Sequence, residues 1–91
     1  MSQHIEKEQI AQLRFAQEDA HSEDQKKVLI ALIEKATILG NAFHNKVKIF
    51  FEAHDGAKDV ETTVWASTAD GICLKAGTFI PLRSIRHIEL I

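Results

Sequence analysis

At Lys46 the hydrophobic period of this 91-residue chain changes, and that change limits the folds open to it. Before it, Val28, Leu29, Leu32, Ala36 and Leu39 recur at helical spacing. After it, Val47, Ile49, Phe51 and Ala53 alternate with Lys48, Phe50, Glu52 and His54, the period of a strand with one face buried. Ser22 and Gln25 form a capping-box pair, in which the serine hydroxyl accepts from a free backbone N–H and the glutamine reaches back. Glu23 and Asp24 then fall in the first turn, where the helix dipole favours negative charge. The helix is expected to run from there to Leu39 and to stop at Gly40-Asn41. Ile30, Ile33 and Ile38 lie off its stripe or at the edge, so it needs cover on two sides. A sheet supplies one cover, and the N-terminal segment or a neighbouring subunit supplies the other.

Turn signals divide the rest into short strands. Asp55-Gly56 closes the first hairpin. Val60, Thr62, Val64 and Ala66 then alternate with Glu61, Thr63, Trp65 and Ser67. Asp70-Gly71 turns the chain into a short strand, Ile72 to Lys75, and Gly77 turns it again. Thr78 to Leu82 is a fourth strand, with Pro81 near its end because proline cannot donate to a ladder. Arg83-Ser84-Ile85 is a bent turn, and Arg86 to Ile91 closes the set. Five short antiparallel strands with tight connections predict a small barrel, whose closure removes exposed edges. The fold class is therefore α+β: a helical N-terminal segment (1–21), then one capped helix and a five-strand antiparallel small β-barrel (22–91).

The N-terminal segment has good helix formers but no clean stripe among Ile5, Ile10, Leu13 and Phe15, so its helix needs a partner surface. An apolar fraction of 45% excludes a wholly disordered chain. Net charge is −2, and the deficit lies in residues 1–40, with five basic against seven acidic side chains; residues 41–91 are balanced at six each. Nucleic-acid binders usually carry a basic surplus, so this balance argues against one while allowing a local basic patch. The lone Cys73, the lack of a basic-then-apolar leader and the absence of a long apolar run predict a soluble cytoplasmic domain that avoids membranes.

The closing stretch, Asp70-Gly71-Ile72 through Gly77-Thr78-Phe79-Ile80-Pro81-Leu82 to Ile85 and Ile88, resembles the end of an Sm-like small β-barrel. There a glycine turns the chain, an isoleucine-proline strand follows, and a bent turn leads into the last strand. The resemblance covers residues 24–91 and lies in element order and turn placement. It implies a small barrel and an RNA-binding surface. Eukaryotic and archaeal members carry a glycine beside a basic residue near the pore, and bacterial members a Lys-His pair. Arg86-His87 is basic and departs from both patterns.

For the histidines, Cys73 and His54-Asp55 the structural reading comes ahead of the chemical one. His4, His21, His44, His54 and His87 show no metal-ligand spacing, and one cysteine excludes the usual structural zinc sets, so no metal and no cofactor are expected. Cys73 reads as a buried filler and Asp55 as a turn residue. The sharper constellation is aromatic and basic. With Val47, Ile49, Val64, Ile72, Leu74, Ile80 and Leu82 turned inward, Phe50, Trp65 and Phe79 point out. Lys46, Lys48, Phe50, Trp65, Arg83 and Arg86 then form a candidate surface for nucleic acid or a protein partner, rings stacking bases and cations following phosphates. The competing reading packs the capped helix over these rings as a second core layer. The expected function is a non-enzymatic binding or assembly module that forms a homo-oligomer. The alternatives are an RNA- or single-stranded-DNA-binding barrel, and a small-molecule sensor with a site at the barrel mouth near His54, Cys73 and His87.

Overall fold

Strand β2 (Val47–Ala53) follows its sequence pattern to the residue: Val47, Ile49, Phe51 and Ala53 are buried and the residues between them half-buried. It is the centre of the fold in a computed structural model that describes residues 2–10, 13–15, 21–74 and 78–90. Before it come β1 (Gln3–His4), the single turn α1 (Lys7–Ile10) and the long helix α2 (Glu23–Phe43). After it come β3 (Gly56–Thr62), β4 (Val64–Thr68), β5 (Gly71–Leu74) and β6 (Phe79–Pro81). A 3-10 turn at Leu82–Ser84 leads into β7 (Ile85–Leu90).

Among the described residues, seven strands in two sheets replace the expected five-strand closed barrel. One sheet has the order β1-β3-β2-β7 and the other β4-β5-β6. The expected strand across Val60–Ser67 is divided at Thr63, where the chain leaves the first sheet for the second. Thr62, Thr63 and Val64 are buried in succession, so period two fails there. The reason is long-range: α2 packs against β4 in one sheet and β7 in the other, and covers the crossing point from outside.

Two β-bulges reset side-chain direction. In the β2–β7 pair Phe50 faces His87 but Phe51 faces Ile85, so Arg86 is the extra residue. In the β4–β5 pair Val64 faces Leu74 but Ala66 faces Cys73, so Trp65 is the extra residue. A bulge bends its strand and re-aims a side chain. Both residues were singled out in the sequence, and both are exposed.

Helix α2 starts as predicted. The Gln25 N–H donates to Ser22 Oγ at 3.2 Å, and the Ser22 N–H donates to Gln25 Oε1 at 3.0 Å. Its end is later than predicted. Gly40 lies inside the helix, and His44 takes the left-handed cap with φ 55°. The buried face is Leu29, Ile33, Ala36 and Gly40, rotated from the predicted stripe, so Ile33 enters the core and Val28 leaves it.

The N-terminal segment is helical only at Lys7–Ile10 among the described residues; 11–12 and 16–20 of the expected helix lie outside them. The partner surface it needs is the chain's own sheet. Strand β1 pairs in parallel with the edge of β3, and the Ile5 N–H donates to the Asp59 carbonyl at 2.9 Å. Ile5 and Ile10 are buried with the sheet residues, and the Phe15 ring packs on Phe51 at 5.8 Å between centroids.

Candidate functional site

The six candidate residues separate into three pairs. Lys48 and Phe50 share the outer face of β2, where the ammonium lies 5.6 Å from the ring centroid, a cation–π distance. The Phe50 ring also stacks on His87 of β7, with centroids 6.1 Å apart and planes 28° from parallel. Helix α2 does not bury this ring as a second core layer; Phe50 stays half-buried beneath Lys48 and His87. In register, Lys48 has Glu61 on β3 and Glu89 on β7 as its cross-strand neighbours. Opposite charges at such positions attract, so this lysine sits in a locally acidic row.

Lys46 and Trp65 form the second pair. They line a cleft of about 280 Å³ with His44, Thr62 and Thr63, and with the carboxylates of Glu6 and Glu61. Trp65 is 39% exposed, and its ring lies 5.8 Å from the His44 imidazole. Arg83 and Arg86 are the third pair, in which Arg86 Nη1 donates to the Arg83 carbonyl at 2.8 Å. Arg83 is half-buried in the 3-10 turn, and Arg86 is exposed at its bulge. The rings of the aromatic–basic platform read from the sequence lie in different sheets, Phe50 in the first and Trp65 in the second, and Glu61 stands between the two groups, beside Lys48 and in the Trp65 cleft.

Neighbouring groups that the sequence did not single out complete these sites. Asp59 is 4% exposed on β3. Its carboxylate accepts from Ser2 Oγ at 2.5 Å and lies 2.7 Å from His4 Nδ1. The Ser2 hydroxyl holds its carboxyl below the usual carboxylate range against the opposing effect of burial, helped by the His4 hydrogen bond and by the charges of Lys48 and His4. Lys58 points the other way and is also buried, with Gln3 Oε1 at 2.5 Å and Asp55 Oδ2 at 3.2 Å. These contacts fasten β1 to the edge of β3.

A further groove of about 440 Å³ runs between the first half of α2 and β7, floored by Val28, Leu29 and Leu32 and edged by Asp24, Arg86 and His87. His54, Cys73 and His87 lie on the turn after β2, on β5 and on β7, and without a closed barrel there is no mouth to gather them. Among the described residues no three His, Cys, Asp or Glu side chains are grouped to hold a metal, and no helix is long and apolar enough to cross a membrane. No protein-family model, curated protein or solved structure matches the chain.

Proposed function

We propose that this chain is a non-enzymatic assembly module that associates with a second copy of itself along α2. The observation that carries the reading is the apolar stripe that this helix leaves partly exposed beside its buried face. Val28, Ile38 and Phe43 are 63%, 64% and 66% exposed. Val28 and Phe43, with half-buried Leu32 and Leu39, form a stripe at four- and seven-residue spacing that flanks the buried face of Leu29, Ile33, Ala36 and Gly40, and Ile38 lies off it further round the helix. Exposed apolar patches of this kind mark interaction surfaces. The described N-terminal residues do not answer this need, since Ile5, Ile10 and Phe15 are taken up by the sheet.

The stripe is also self-complementary. Two copies of α2 laid antiparallel about a point between Lys35 and Ala36 set Val28 against Phe43 and Leu32 against Leu39. Isologous contacts require such a pattern. Lys35 lies at the centre and can lay its stem along the seam while its ammonium reaches water. The seam spans about 22 Å at 1.5 Å per residue, a small interface, so association is expected on the order of tens of micromolar. Light scattering over a concentration series tests it. Wild-type protein should move from monomer to dimer, and Phe43→Lys, which sets a charge against Val28 of the second copy, should stay monomeric with unchanged circular dichroism. A wild-type monomer throughout the series overturns the reading.

The second reading, binding of single-stranded nucleic acid by an Sm-like domain, is supported by the Trp65 cleft, where an exposed ring stands with Lys46 and His44. Trp65 is the only tryptophan, so a single-stranded oligonucleotide should quench the protein's indole fluorescence at low salt. Unchanged fluorescence removes this reading. Glu6 and Glu61 in the same cleft weigh against it, and for that reason it stands second.

A further inference from the structure

The groove between α2 and β7 combines an apolar floor with two opposite charges that do not neutralise each other. Its volume of about 440 Å³ falls within the size range of small-molecule sites. Val28, Leu29 and Leu32 form the floor. Arg86 and His87 edge it from the same strand, which simple alternation does not allow; the bulge at Arg86 brings two consecutive side chains to one groove. The Arg86 guanidinium is steadied by one hydrogen bond, to the Arg83 carbonyl at 2.8 Å, and makes no ion pair among the described residues. Asp24, in the first turn of α2, edges the groove from the helix and likewise makes no ion pair among them.

We propose that this groove binds a small zwitterion with an apolar side chain, of amino-acid or dipeptide size. The Arg86 guanidinium would take the carboxylate, for which its planar fork of donors is suited. Asp24 would accept from the ammonium. The apolar side chain would rest on Val28 and Leu32, above buried Leu29, and remove those two from water. A ligand with only one charge leaves the opposite pole of the groove unmatched.

Amide chemical-shift titration with leucine, dileucine, N-acetyl-leucine and leucinamide tests the proposal. Val28 and Leu32 also belong to the stripe proposed for self-association, so the titration is run on the Phe43→Lys variant, whose changed side chain does not line the groove, as well as on the wild type. The result in that variant then concerns the groove alone. The expected outcome is saturable shifts at Asp24, Val28, Leu32, Arg86 and His87 with leucine or dileucine. The stronger of the two identifies the ligand size. Affinity should fall at least about tenfold on blocking either ligand charge, and similarly in Arg86→Ala and Asp24→Asn. Both side chains are exposed, so these variants should fold. Absence of shifts at millimolar ligand, or equal affinity for leucine and its N-acetyl form, overturns the proposal.

Discussion

Gly40 of α2 lies against the carbonyl oxygen of Val64, so close that a β-carbon on Gly40 would overlap that oxygen. The Thr63 methyl would stand 3.1 Å from the same β-carbon. Helix propensity alone favours alanine over glycine inside a helix by about 1 kcal/mol. The packing reverses that sign, because the obstructing atom belongs to backbone at the crossing between the sheets. Gly40→Ala is expected to destabilise the fold by about 1–3 kcal/mol, the usual range for overpacking. Chemical denaturation measures it, and a more stable variant would show that the helix can lift from Thr63 and Val64 without cost.

The attachment of β1 should depend on acid pH. The Asp59 carboxyl is held below its ordinary range in the folded state, chiefly by the Ser2 hydroxyl. A carboxyl lowered in this way stabilises the fold above its unfolded pKa, and the contribution is lost as pH falls through the folded value. Amide protection at Ile5, whose N–H donates to the Asp59 carbonyl, should therefore be full at neutral pH and fall below about pH 4. Asp59→Asn should weaken that protection at neutral pH and flatten its pH profile. Identical profiles in the two proteins would show that the pairing of β1 with β3 does not depend on this carboxylate.

The capping box gives a separate stability test at the other end of α2. Ser22→Ala leaves the Gln25 N–H without its side-chain acceptor and should cost about 1 kcal/mol. For a chain of this size that loss lowers the melting temperature by about 4–8 °C. Thermal unfolding followed at the helical circular-dichroism band measures it. A shift under one degree would mean that the start of α2 frays in the folded protein.

Salt should separate the two functional readings. An apolar seam along α2 is indifferent to screening, so the monomer–dimer midpoint should change less than about twofold between 0.05 and 0.5 M salt. Nucleic-acid binding at Lys46 and Trp65 would instead weaken steeply over that range. Sedimentation and Trp65 fluorescence, taken on the same samples, follow the two processes independently.

The sequence by itself determined the features set by near neighbours along the chain. The Ser22–Gln25 cap, the alternation of Val47–Ala53, the turns at Asp55-Gly56 and Asp70-Gly71, and the bend before the last strand all appear in the structure. Each depends on residues within a few positions of one another, so a short window contains its cause. Tertiary structure decided what depends on contacts between distant segments. Gly40 reads locally as a helix stop but permits close packing on Val64, and His44 ends the helix instead. Val60–Ser67 reads as one strand but divides at Thr63 where α2 crosses it, and Gln3–His4 reads as helix but adds to the edge of β3. The candidate residues were legible by type and their grouping was not. The bulges that expose Trp65 and Arg86 arise from register between paired strands, and a period-two pattern along one strand carries no record of its partner's register.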